Sequence, residues 1–147
     1  MRYAAALLAA LLLGSCAAER PPAQTAPIAD LVIPATVPNG RVDVVVKNRY
    51  AVGETVRATV RLRPATGTLR GPLDPFIQAS GFHGTATVRH LVVDPVSATS
   101  GGAEVLVLWD LRDDAGQAVG SDDYSLVFKV ADDSGRTTVV GATLQVR

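Results

Sequence analysis

The segment TVRATVRLR, Thr55–Arg63, alternates between apolar and polar side chains along its whole length. Val56, Ala58, Val60 and Leu62 face one way, and Arg57, Thr59, Arg61 and Arg63 face the other. A period of two marks a strand with one face in a core and one in water. Wound into a helix, the same residues would scatter valines and arginines around every side. The rest of the chain follows suit. VDVVVK (Val42–Lys47) precedes this segment, and TATVRHLVV (Thr85–Val93), AEVLVLW (Ala103–Trp109), YSLVFKV (Tyr124–Val130) and TTVVGATLQV (Thr137–Val146) follow it. Between them lie NRYAVGE, RPATGTLRGPLDP, DPVSATSGG and DDSGR, rich in turn formers. FIQA (Phe76–Ala79) adds at most a short strand within the longest connection.

No stretch has a convincing helical period. Strands separated by turn signals at this spacing predict an all-β fold: a single immunoglobulin-like antiparallel β-sandwich of about seven strands. Two sheets are needed, because one sheet cannot bury these apolar faces alone. The expected core centres on Trp109, Phe128, Leu126, Val107 and Tyr124.

The domain is expected over 41–147, preceded by two segments of other character. Residues 1–15 have a positive start at Arg2 and an Ala/Leu run from Ala4 to Leu13, then small residues. That is the layout of a secretory signal, too short for a membrane span of about twenty apolar residues. Residues 16–40 hold five of the nine prolines and are expected to be a semi-extended tether, with a short edge strand near Ile28 to Ile33 as an addition.

The exit sequence LGSC, Leu13 to Cys16, resembles the bacterial lipoprotein box: an aliphatic residue, two small residues, then Cys. The resemblance implies that Cys16, the single cysteine of the chain, becomes the lipidated first residue of the mature protein. Each buried CH₂ of an acyl chain such as palmitate contributes about 0.8 kcal/mol, and stable anchoring needs more than one chain. The implied location is the bacterial cell envelope, on the outer membrane if the host is diderm, since Ala17 follows the cysteine. With one cysteine, no disulfide can form within the domain.

Charge is balanced overall, which gives no support for nucleic-acid binding. Its distribution is uneven. Residues 41–89 carry eight basic and three acidic side chains, and 90–147 carry four and nine. The two halves either interleave in one sandwich and mix their charges, or present opposed surfaces that steer a partner. Arg57, Arg61 and Arg63 share the outer face of one strand. They are either a solvated, aggregation-resistant face or a stripe that binds an anionic glycan, lipid headgroup or envelope protein.

WDLRDDAGQAVGSDDY, Trp109–Tyr124, packs five aspartates between two strands. Asp before Gly suits a turn. The acids lack the alternate spacing and terminal Glu of an EF-hand loop, so no metal is expected. This stretch resembles the signature of the FlgD-like immunoglobulin-type domain, W-D-G-x-D-x-x-G-x-x-V-x-S-G-x-Y. Trp109, Asp110, Asp113, Gly116, Val119 and Tyr124 match it, while Leu111 and Asp122 stand where it has Gly. The similarity spans about 85–147, with VADDSGRTTVVGATLQV as the closing hairpin, and implies that these residues shape the fold. The same stretch is similar to the BsuPI-type proteinase inhibitor domain.

His83, in SGFHG, is expected on a turn, and His90 within a strand. No zinc, Walker or nucleophile-elbow motif occurs. The expectation is therefore a protein that is not an enzyme and needs no cofactor. It would be held to a membrane through Cys16 and would bind or assemble with an unidentified envelope protein or anionic glycan. Inhibition of an envelope protease through RPATGTLRGPLDP or SGFHG is the alternative.

Overall fold

The alternation in the sequence becomes a two-layer β-sandwich in a computed structural model, which describes residues 30–81 and 84–147. The strands are β1 (Asp30–Val37), β2 (Gly40–Lys47), β3 (Arg49–Tyr50), β4 (Val56–Pro64), β5 (Leu69–Ala79), β6 (Thr87–His90), β7 (Val96–Ala98), β8 (Ala103–Trp109), β9 (Asp122–Asp132) and β10 (Thr137–Val146). The first sheet has the order β1-β2-β4-β8. The second has the order β3-β10-β9-β5-β6, with β7 also on β5.

The inward residues of both sheets close the core. Val56, Ala58, Val60 and Leu62 of β4 are all buried, as the alternation requires. Against them lie Leu126 and Phe128 of β9 and Leu144 of β10, all fully buried. Trp109, Phe128, Leu126, Val107 and Tyr124 are all in the core. Each large side chain buried this way contributes roughly 1.5–3 kcal/mol.

Four features depart from the sequence expectation. The described strands number ten rather than about seven. One pair is parallel: the chain leaves the first sheet at Asn48, and Arg49–Tyr50 runs beside the end of β10. The expected tether overlaps the domain, because β1 pairs with β2 along all of Asp30–Val37. Pro34 is tolerated there because β1 is an edge strand, where one N–H can be spared.

The largest departure is β5. Most of RPATGTLRGPLDP, expected as a loop, lies in this eleven-residue strand between β9 and β6. Its pairing with β9 is irregular between Arg70 and Leu73 and again between Leu73 and Phe76. Those irregularities accommodate the Gly and Pro residues that made the segment read as a loop. They also shorten its neighbour. Asp74 has φ +46°, so the ladder with β6 stops near Phe76, and the expected strand Thr85–Val93 is reduced to Thr87–His90.

Candidate functional site

The five aspartates of Trp109–Tyr124 fall into separate roles. Residues 110–121 form an arm that carries the chain from the first sheet to the second. Its base is aromatic. The Trp109 and Tyr124 rings meet edge to face, with centroids 5.2 Å apart and planes at 67°. Trp109 Nε1 donates to the Arg112 carbonyl at 2.8 Å, and Tyr124 OH donates to the Gly120 carbonyl at 2.9 Å. The Tyr124 hydroxyl, bonded to backbone four residues upstream, pins the arm where the chain crosses between the sheets.

Within the arm, Asp110 Oδ1 accepts from Arg112 N at 3.2 Å, and Asp113 Oδ1 accepts from Gln117 N at 2.8 Å. Both acids thus cap turns. Gly116, at φ +79°, closes the tip. Leu111 also has positive φ, +56°, yet its side chain is buried. Asp114 ties the arm to β6. Its N–H donates to the Val88 carbonyl at 3.0 Å, and its carboxylate accepts from His90 N at 2.9 Å and contacts His90 Nδ1 at 2.6 Å. These bonds to His90 hold the Asp114 carboxyl below its usual range. Arg89 Nη1 adds a bond to the Asp113 carbonyl at 2.6 Å. At the other bend, Asp123 pairs with Arg147, and buried Asp122 accepts from Asp123 N at 2.8 Å. Among the described residues no three acids, histidines or cysteines gather where they could hold a metal ion.

Arg57, Arg61 and Arg63 do share the outer face of the first sheet. Neighbouring carboxylates change what that face can do. Asp43, on the same face of β2, is only 4% exposed and contacts Arg41 Nε at 2.5 Å and Arg63 Nε at 3.1 Å. Arg61 Nε lies 2.8 Å from Glu104 Oε1. Its N–H is not aimed at that oxygen, so this is a charge contact without an aligned hydrogen bond. Arg57 has no ion pair among the described residues. The expected three-arginine stripe is thus one available guanidinium, Arg57, beside a cluster in which Arg41, Arg61 and Arg63 share the two carboxylates of Asp43 and Glu104.

Arg57 borders a groove of about 500 Å³ whose walls include Asp30, Val45, Tyr50, Thr59 and Leu106. At one end Lys47 pairs with Glu54 and lies 5.2 Å from the Tyr50 ring centroid. Tyr50 OH accepts from Lys47 N at 3.0 Å and donates to the Arg57 carbonyl at 3.2 Å. Burial pushes this phenol up from its usual pKa.

The strand registers align Val32, Val45, Thr59 and Leu106 in one row across the face. Leu106 and Leu108 are 50% and 48% exposed. Sequence reasoning took AEVLVLW as an ordinary strand and missed this surface. The available signal was its second apolar set, Leu106 and Leu108, on the face opposite Val107 and Trp109.

His90 ends β6 and is exposed. His83 and Cys16 lie outside the described residues. No family model matches the chain, and no curated protein is detectably similar to it.

Proposed function

We propose that this chain is a lipid-anchored bacterial cell-envelope protein whose immunoglobulin-like domain is a non-catalytic binding or assembly module. The observation that carries the module reading is the open outer face of the first sheet. There the row Val32, Val45, Thr59 and Leu106, apolar but for Thr59, with Leu108 beside it, meets the guanidinium of Arg57. Exposed apolar side chains beside a charge suit a protein surface. An anionic glycan is less well served, since Asp43 and Glu104 already occupy the neighbouring arginines.

The anchoring half of the proposal rests on LGSC at Leu13 to Cys16. The FlgD-like resemblance gains local support. Leu111, where that pattern has Gly, adopts φ +56°, and Asp122, the other departure, is an extended strand residue that needs no Gly. The inhibitor alternative is less favoured. Its longest candidate loop is held in the second sheet from Leu69 onward.

Fractionation and acyl labelling of the wild type and of Cys16→Ala in the native host test the anchor. The wild type should partition with membranes and take up a fatty-acid label, and the variant should do neither. Identical behaviour of the two would remove the anchor. Crosslinking of the same pair tests the module. An envelope protein captured by the wild type and lost on Leu106→Lys supports it, and a protease inhibited at one-to-one stoichiometry would overturn it in favour of the inhibitor.

A further inference from the structure

We infer that the free edge of β8 is a homodimer interface, at which β8 of a second copy pairs antiparallel and joins the two first sheets into one. This goes beyond the proposed function and needs neither the anchor nor a family assignment.

Strand β8 closes the first sheet. It pairs with β4 along Ala103–Trp109, and no strand pairs its other side among the described residues. The segment running alongside, from Leu91 to Pro95, leaves a groove of about 340 Å³ lined by Val92, Val93, Asp94, Val105, Leu106 and Leu108. An open edge offers every second N–H and C=O to an incoming strand, and proteins normally blunt it with Pro, Lys or a bulge. β8 has no Pro or Lys, and its register with β4 is unbroken. Its outward Leu106 and Leu108 are about half exposed, and Val92 beside them is fully exposed.

The registers argue for a second copy as the occupant. A two-fold axis at Leu106 sets Leu106 opposite its own mate and Leu108 opposite Glu104 of the second copy. The row Val32, Val45, Thr59 and Leu106 then continues unbroken into the same row of the other copy. No like charges are opposed in this register, since Glu104, paired with Arg61 of its own chain, meets Leu108. Arg57 adjoins Leu108 on the sheet face. In the dimer it therefore flanks that leucine on one side, with Glu104 of the second copy on the other. Neighbouring registers are poorer. An axis at Val107 would set Glu104 opposite Asp110, and like charges directly opposed are destabilising. An axis at Val105 would leave Leu108 facing Gly102, with nothing to cover it.

The test uses the full chain with Cys16→Ser, so that any introduced thiol is the sole cysteine. Directly opposed residues of an antiparallel pair have Cα atoms about 4.5–5.5 Å apart, within the roughly 4.4–6.8 Å span of a disulfide. Leu106→Cys should therefore form a disulfide-linked dimer under mild oxidation. Glu104→Cys and Leu108→Cys should crosslink when mixed and not alone. Val139→Cys, 66% exposed on the second sheet, should stay monomeric. Light scattering of the Cys16→Ser chain should show a dimer, and Leu106→Lys should weaken it at least ten-fold. The inference is overturned if that chain stays monomeric, or if Leu106→Cys crosslinks no faster than Val139→Cys. It is equally overturned if the outward amides of β8 are protected from exchange in a monomer, which would mean that the chain itself already covers the edge.

Discussion

Strand β1, at one edge of the first sheet, carries Pro34 at its middle and Asp30 at its start, whereas β8, at the other edge, carries neither a proline nor a lysine. Their packing differs in the opposite sense. The inward residues Ile33 and Ala35 of β1 are only partly buried, while Val107 and Trp109 of β8 are each 2% exposed. The edge that is chemically blunted is thus loosely seated, and the edge that is open is firmly held. A rigid template loses less conformational entropy on pairing than a frayed one. The contrast suits a sheet that is closed to pairing at one side and offers a pairing surface at the other.

The largest effect should come from loosening the anchored edge. Trp109→Ala removes the ring that closes β8, its edge-to-face contact with Tyr124 and its bond to the Arg112 carbonyl. Denaturant unfolding should show a loss of about 3–5 kcal/mol. Val37→Ala, which truncates the most buried residue of β1, should cost about 1–2 kcal/mol. Equal losses at the two edges would break the contrast.

Next in size is the turn that follows β8. Leu111 combines a buried side chain with φ +56°. Leu111→Ala loses the packing, about 2–5 kcal/mol, and keeps the backbone strain. Leu111→Gly loses the same packing but relieves about 1–2 kcal/mol of left-handed strain. Glycine should therefore be the milder replacement, the reverse of the usual order. If alanine proves milder, the positive φ is not retained in solution and the end of β8 is held less rigidly than its buried Val107 and Trp109 imply.

Tyr124→Phe should cost about 0.5–1.5 kcal/mol through the bond to Gly120, leaving the aromatic contact intact. The wild-type phenol adds a pH signature. Burial, reinforced by the charge of Asp122, raises the Tyr124 pKa above its ordinary 10.0, and burial raises Tyr50 likewise. A raised value means that the stability is complete below the ordinary pKa and is lost as pH rises through the folded one. Tyrosinate absorbance should therefore appear later than in the unfolded chain, and coincident titrations would contradict the burial of both rings.

Much of the sandwich was legible because burial on one face of a strand leaves a period of two. β4 and β10 could be read almost to the residue. β1 and β5 could not, because Pro34, Gly71, Pro72 and Pro75 are breakers by local preference, and only edge position or bulged pairing lets a sheet hold them. The core placement of Trp109 and Tyr124 and the turn at Gly116 were readable from the strand pattern and from Asp before Gly. The pairing of Arg61 and Arg63 with carboxylates was not. Asp43 and Glu104 reach Arg63 and Arg61 from neighbouring strands, and which residues lie side by side depends on register, which no single strand encodes. The same holds for the row ending at Leu106.

The second sheet supplies a third kind of edge, covered rather than blunted or open, and it should respond to acid by the smallest amount. At β6 the arm lies against the strand, with the Asp114 N–H on the Val88 carbonyl and its carboxylate on His90. The side-chain and backbone bonds from His90 depress the Asp114 pKa from its ordinary 3.8. A depressed value means that the contact is fully present above the unfolded pKa and is lost as pH falls through the folded one. Asp114 is solvent-exposed, so screening keeps the contribution to stability small, and the sandwich should stay folded while the arm lifts. Resonances of the Asp114, Val88 and His90 amides followed by NMR should move together, with a midpoint below the ordinary aspartate value. Those of Val140 and Gly141 in β10, which face Phe128 and Val127 of β9 and no carboxylate, should stay still. In Asp114→Ala the acid-dependent movement should vanish. A midpoint at or above the ordinary value would mean that the covering of β6 does not depend on the carboxylate, and would leave the backbone bond to Val88 as its main support.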